Sequence, residues 1–133
     1  MRTYKSREFA RFARKSSIPD SDLCRALDEI LRGTIDADLG GGVFKQRVRR
    51  KGQGKSGSFR TIILLRLGQI ALFAYGFAKN DKANISQSDL MQFRQLAKEV
   101  FRYGPREIEQ LVHTGALEEI CNERDKEVSL QDR

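Results

Sequence analysis

The chain has 133 residues, of which 39% are apolar and 32% charged, and its formal net charge is +7 at neutral pH. This composition is typical of one soluble globular domain with a heavily charged surface. No apolar run approaches a membrane span and the first residues lack the apolar segment of a signal peptide, so the sequence predicts a cytoplasmic protein with no membrane contact.

The first 42 residues hold eight cations and seven acids and predict a helical hairpin. Ser6 can cap the first helix, and Ile18-Pro19 ends it. A second helix begins at Pro19 or Asp20 and ends at Gly33. Apolar residues recur at helical spacing, as Phe9, Phe12 and Ala13 and then as Leu23, Ala26, Leu27, Ile30 and Leu31. Ahead of the hairpin, Thr3–Lys5 is a candidate for a short strand at the sheet edge.

Asp36 and Asp38 open a glycine-rich segment that ends at Gly42. A calcium loop of the EF-hand type needs more oxygen ligands and a closing glutamate at fixed spacing, and neither is present. The segment is therefore predicted to be a surface loop that leads into the next strand, with no metal bound.

The most basic stretch runs from Val43 to Lys82 and has ten lysines and arginines against the single acid Asp81, a net charge of +9. Its apolar and β-branched runs predict three strands, at Val43–Arg49, Phe59–Leu67 and Gln69–Phe77. The short turn around Gly68 predicts that the last two strands form an antiparallel hairpin.

Lys45, Arg47 and Arg49 alternate with apolar and polar residues in the first of these strands. Because strand side chains alternate between faces, the three cations share one face, and Arg60 opens the next strand. Seven cations between Lys45 and Arg60, with no acid among them, favour a polyanionic partner that relieves their repulsion. The alternative is a solvated edge strand whose charges only prevent pairing between sheets.

After Lys82 the balance reverses, with seven cations and ten acids. Ser86 can cap a helix that continues to Phe101, and Gly104-Pro105 ends it. A further helix is predicted from Arg106 to about Ile120, followed by a polar tail over 122–133. His113 would lie on the surface of this helix rather than act as a general base.

Two other motifs do not meet the requirements of known sites. Gly54-Lys55-Ser56 lacks the earlier glycine of a phosphate-binding P-loop, because position 49 is arginine. Cys24 and Cys121 have only His113 for company, too few ligands for structural zinc, and both are predicted to be reduced.

Several ordered blocks of this sequence resemble the RelE/HigB superfamily of type II bacterial toxins. These blocks are Phe44–Val48, Lys51–Arg60 and Tyr75–Asn80, and Asp38–Gly42 and Ala83–Ser86 are similar to a RelE-like branch. The resemblance implies an α+β fold like that of microbial ribonucleases, with an N-terminal helical hairpin, a small twisted antiparallel sheet of three to four strands, and C-terminal helices. It also implies a toxin domain over residues 1–103 and a C-terminal helical extension and polar tail over 104–133.

The same resemblance implies the toxin of a toxin–antitoxin system, a metal-independent endoribonuclease that cleaves mRNA on the ribosome by attack of the 2′-hydroxyl. No cofactor is implied. The implied partners are mRNA and a cognate antitoxin, with operator DNA reached only through the antitoxin. The alternative is a non-catalytic ParE-like toxin acting on DNA gyrase, or a nucleic-acid-binding module.

Lysine and arginine must carry such chemistry, because the basic strands hold no histidine and no carboxylate. By the resemblance, the catalytic residues are Lys45, Arg47, Arg60, Lys79 and Lys82. The RNA-binding residues are Arg49, Arg50, Lys51, Lys55, Phe59, Tyr75 and Asn80. A tyrosine that some relatives carry would fall near Ser86, and Phe59 and Tyr75 are its possible replacements for stacking on a base.

Overall fold

The computed structural model describes residues 1–49, 58–78 and 85–122. In chain order, the elements are β1 (Arg2–Ser6), α1 (Arg7–Lys15), α2 (Asp20–Leu31), β2 (Ala37–Asp38), β3 (Val43–Arg49), β4 (Ser58–Arg66), β5 (Ile70–Ala78), α3 (Gln87–Phe101), α4 (Pro105–His113) and β6 (Leu117–Ile120). The strands form one mixed sheet in the order β2-β3-β4-β5-β1-β6. No helix within the described ranges has the length and apolarity needed to cross a membrane.

Helices cover both faces of the sheet. On one face, α1 and α2 pack on Val48, Ile63 and Phe73, while on the other α3 and α4 pack on Ile62 and Leu64. Strand β4 is buried on both faces, which explains its nearly continuous apolar sequence.

The predicted helix caps and the predicted antiparallel turn between the central strands are confirmed. Ser6 caps α1 by accepting the Phe9 N–H at 3.1 Å, and Ser86 caps α3 by accepting the Asp89 N–H at 3.0 Å. The two central strands β4 and β5 pair antiparallel around Gly68, whose φ is +77°. These features were predictable because caps and tight turns depend on neighbouring residues.

The predicted fold class is wrong in its sheet and in its N-terminus. The chain begins with a strand, and the sheet has six strands and is mixed, because β1 pairs parallel to β5 through Thr3↔Ala71 and Tyr4↔Leu72. The expectation that Thr3–Lys5 forms a strand is confirmed, but β6 covers it, so it does not lie at the edge. A parallel pairing across nearly seventy residues leaves no local signal in a five-residue segment.

The predicted helix from Arg106 to Ile120 is also wrong at its C-terminal end. Helix α4 ends at His113, Gly115 follows with φ of +84°, and Leu117–Ile120 forms β6. The spacing of Leu117 and Ile120 also fits a helix, but pairing with β1 decides between the two. As a strand, β6 directs Leu117 and Ile120 into opposite cores.

A disulfide joins Cys24 in α2 to Cys121, directly after β6, with their Cα atoms 5.4 Å apart. The expectation that both cysteines are reduced is therefore wrong. The error followed from the missed strand, because β1–β6 pairing is what brings two residues separated by 97 positions together.

Lys5 of β1 connects that strand to α2 and β6, and it is only 8% exposed. Its ammonium contacts Asp20 of α2 at 2.7 Å and Glu118 of β6 at 3.1 Å. Burial lowers the pKa of Lys5, but the hydrogen bonds to the two carboxylates outweigh it and leave that pKa raised. The N-terminal strand is therefore fixed to both α2 and β6.

A β-bulge in β5 decides which way its aromatic side chains point. Ile62 pairs with Tyr75 and Ile63 with Phe73, so Ala74 has no partner in β4. The extra residue turns Tyr75 to the α3 face, which Phe73 does not share. The Ser6 hydroxyl donates to the Ala74 carbonyl at 3.2 Å, so the cap of α1 also holds the bulge.

Candidate functional site

Four cations form one continuous surface on β3 and β4, which we call the cationic face: Lys45, Arg47, Arg49 and Arg60. Arg47 is the direct cross-strand partner of Arg60, so their side chains emerge side by side, with Cβ atoms about 5 Å apart. Lys45, Arg47 and Arg60 are half-buried and Arg49 is exposed. The predicted alternation along β3 is confirmed, because Gln46 and Val48 are buried on the opposite side.

Gln46 holds β3 in position from behind. It is 1% exposed, its Oε1 accepts the Asp36 N–H at 3.0 Å, and its Nε2 donates to the Thr34 carbonyl at 3.0 Å. Its own carbonyl accepts the Thr61 hydroxyl at 2.8 Å, which ties β3 to β4. The sequence placed Gln46 on the correct face but contained no sign of its anchoring role.

Asp36 contacts β3, the strand that carries three of these cations, and its carboxylate bonds the backbone. Its Oδ2 accepts the Arg47 backbone N–H at 2.5 Å. Within residues 1–49, 58–78 and 85–122, neither Arg47 nor Arg60 forms an ion pair with a carboxylate. The face therefore keeps the charge of both guanidinium groups.

Both of these arginines carry a buried donor without an acceptor. Arg47 Nε and Arg60 Nη1 are inaccessible to solvent and hydrogen-bond nothing in the part of the chain that the structure describes. An unsatisfied buried N–H costs about 1–3 kcal/mol, more for a charged group, so each of the two requires an explanation. An anion bound at the accessible nitrogens of these guanidinium groups would relieve the repulsion between the two charges.

The loop before β3 is a tight turn. Asp38 Oδ1 accepts the Gly40 N–H at 2.9 Å, and β2 and β3 pair on either side. At Gly42, φ is +83° and an added Cβ would lie 2.6 Å from the Phe101 ring. No cluster of three metal-ligating side chains occurs among the described residues. The two carboxylates here serve the backbone.

The two aromatic candidates lie on opposite faces. Phe59 packs against Phe12 of α1, with ring centroids 5.7 Å apart, on the face away from the cations. Phe77 is the cross-strand partner of Arg60, and the ring centroids of Tyr75 and Phe77 are 5.9 Å apart. Tyr75 therefore lies on the same face as Arg60. The structure therefore brings Tyr75, and not Phe59, beside the cationic face.

Six of the predicted site residues lie outside the described ranges: Arg50, Lys51, Lys55, Lys79, Asn80 and Lys82. The strand ends from which their segments continue are described. Arg49 pairs with Ser58, and Phe59 with Ala78, so all these ends lie at the end of the sheet that carries Arg47 and Arg60. His113 is exposed at the end of α4, as expected.

A family model described as the RelE toxin of the RelE/RelB toxin–antitoxin system matches residues 1–120. Comparison with curated proteins and with solved structures finds no significant match.

Proposed function

Because this chain belongs to the RelE toxin family, we propose that it is an endoribonuclease that cleaves mRNA on the ribosome. The family is that of a toxin from a toxin–antitoxin system, so its partner is a cognate antitoxin. What supports the nuclease activity is the cross-strand pair Arg47 and Arg60, each of which has one buried, unpartnered donor among the described residues. Such a pair suits the non-bridging oxygens of a phosphodiester.

The proposed reaction is transesterification within the RNA. The 2′-oxygen attacks the adjacent phosphorus, the bond to the 5′-oxygen breaks, and a 2′,3′-cyclic phosphate and a 5′-hydroxyl result. One group must take the proton of the 2′-hydroxyl and another must supply a proton to the 5′-oxygen. Lys45 and Arg47 on β3 are the described candidates for assisting these transfers, with Lys79 and Lys82 as candidates beyond them.

Arg60 is proposed to stabilise the charge that grows on the phosphate. It lies on a strand buried on both faces, so its position is preorganised before substrate arrives. Donors held in this way contribute more in the transition state than in the ground state, which is the condition for raising turnover.

The test is Arg60→Ala, scored by growth arrest and by mapping transcript 5′ ends after induced expression. Loss of one preorganised donor costs on the order of 3 kcal/mol, so cleavage should fall about a hundredfold. Arg60→Lys should recover only part of it, because an ammonium group cannot reproduce the paired donors.

The matched control is Arg66→Ala, an exposed arginine at the other end of the same strand, which should keep full toxicity. All variants are compared at equal soluble expression, and only variants whose melting temperatures match that of the wild type are scored. If Arg60→Ala cleaved RNA at the wild-type rate, the proposed role of Arg60 would be refuted. A DNA-damage response without RNA cleavage by the wild type would instead favour a gyrase-directed toxin.

A further inference from the structure

The Cys24–Cys121 disulfide fixes the last described strand of the chain to a helix. Cys24 lies in α2 and is 4% exposed, whereas Cys121 directly follows β6 and is partly exposed. In the part of the chain that the structure describes, β6 is the outermost strand on its side of the sheet and pairs with β1 alone. The bond therefore holds the end of a short edge strand, and one of its two residues is open to solvent.

We propose that this disulfide is a redox-controlled modification site, which exchanges with glutathione and thereby decides whether β6 stays docked. In the oxidised protein β6 is held against β1 and α2. In the reduced protein β6 detaches locally, and the freed segment makes the chain a substrate for proteases. Only the compartment is taken from the proposed function: a chain that acts on mRNA meets the glutathione of the cytosol, where disulfides are usually transient or redox-sensing.

Opening of the bond takes two thiol–disulfide exchanges. In the first, a glutathione thiolate attacks the Cys121 sulfur, because Cys24 is buried, and Cys24 leaves as a thiolate. In the second, another glutathione thiolate attacks the glutathione sulfur of the mixed disulfide and releases Cys121 together with glutathione disulfide. The protein gains two electrons, and the two protons given up by the glutathione thiols return to the cysteines. Glutathione disulfide reverses both steps and is the oxidant that closes the bond.

Few contacts hold β6 once the bond is open. The strand has only four residues, of which Leu117 and Ile120 are buried, each in a different core. Glu118 and Glu119 form ion pairs with β1, but their side chains are 57% and 38% exposed. Ion pairs with a solvent-exposed member stabilise little, so the disulfide is the strongest link of β6 to the rest of the protein.

The remainder of the sheet does not depend on β6. On its other side, β1 pairs in parallel with β5 from Arg2 to Lys5, and the central strands pair among themselves. An outer strand of this kind can open while the core stays folded. Because coupling is reciprocal, docking of β6 favours the bond by the same factor as the bond favours docking.

The experiment is limited proteolysis of the purified full-length wild type, oxidised and reduced, with a glutamyl endopeptidase well below the melting temperature. Cleavage after Glu118 and Glu119 should be about tenfold or more faster in the reduced protein, because proteolysis follows the population of the open state. Cleavage after Glu99, an exposed glutamate of α3, is the internal control and should keep its rate. Fragments are separated after complete reduction and identified by mass.

A redox titration forms the second arm. The wild type is equilibrated at fixed ratios of glutathione to glutathione disulfide, free thiols are alkylated, and the oxidised fraction is read by mass. The bond should be largely open at the ratio of the resting cytosol and should close as glutathione disulfide accumulates. A bond that stays fully closed at the resting ratio would mark a purely structural disulfide and overturn the proposal.

The third arm measures lifetime in cells after translation is blocked, with and without the thiol oxidant diamide. Oxidation should lengthen the half-life of the wild type roughly threefold or more, because the closed form is cleaved slowly. Cys24→Ala/Cys121→Ala should be degraded at one rate under both conditions. An equal response of the two proteins would contradict control through this bond.

Two results of the proteolysis would also overturn the proposal. Equal cleavage after Glu118 and Glu119 in both redox states would show that the bond does not control docking of β6. Acceleration at Glu99 equal to that at β6 would show that reduction unfolds the whole chain. Both comparisons use the wild type alone, so they stand even if the double variant does not fold. None of the arms measures RNA cleavage, so failure of the proposed function and failure of this proposal are distinguishable.

Discussion

The disulfide between Cys24 and Cys121 should contribute a large share of the stability of this protein. It closes a loop over a separation of 97 residues. By the chain-entropy relation, a loop of this length destabilises the unfolded state by about 4.7 kcal/mol at room temperature. Small domains unfold with a total of only about 5–15 kcal/mol, so the contribution is comparable with the whole.

The measurement is thermal unfolding of the purified wild type with and without a thiol reductant. Reduction should lower the melting temperature by roughly 15–25 °C, because 1 kcal/mol corresponds to about 3–5 °C for a chain of this size. Intact mass under non-reducing conditions verifies the bond beforehand through the loss of two hydrogens.

The control is the double variant Cys24→Ala/Cys121→Ala, which should melt near the reduced wild type and show no response to reductant. Two strands, β5 and β1, separate β6 from the cationic face on β4, so RNA cleavage well below the melting transition should not change on reduction. Equal melting temperatures for the oxidised and reduced wild type would refute the reasoning about the closed loop.

Two further predictions concern the turn before β3 and the acid limb of stability. Gly42→Ala should lower the free energy of unfolding, measured in urea, by about 2–3 kcal/mol, because alanine would strain the left-handed backbone and clash with Phe101. The control is Gly33→Ala, where an added Cβ has nothing within 4 Å. It should show only the backbone strain, about 1–2 kcal/mol. The hydrogen bond from Arg2 lowers the pKa of Glu119 in the folded protein. The stabilisation from this bond is therefore fully present above the pKa that Glu119 has in the unfolded chain, and it is lost as pH falls through the folded-state pKa. Glu119→Gln should therefore destabilise slightly at neutral pH and converge with the wild type in acid, and a constant difference down to pH 2 would contradict this.

Local signals in the sequence accounted for the helices and for the central strands. Ser6 and Ser86 cap helices whose apolar residues recur at helical spacing, and the two-fold alternation along β3 placed Lys45, Arg47 and Arg49 on one face. Each of these features depends on residues within a few positions of one another. The family resemblance, whose motifs are also contiguous blocks, was confirmed by a family model that matches residues 1–120.

The sequence by itself therefore determined the cationic strand, its position after a glycine turn, and the presence of Arg60 at the start of the next strand. Only the tertiary structure decided that β1 joins β5 in parallel, that Leu117–Ile120 is a strand, and that two distant cysteines meet. It also separated Phe59 from Tyr75, because the bulge at Ala74 reverses the alternation of β5. The free energy of pairing between strands that are distant in sequence depends on the surface of the partner strand. The sequence of a short segment such as β6 therefore does not indicate which strand it pairs with.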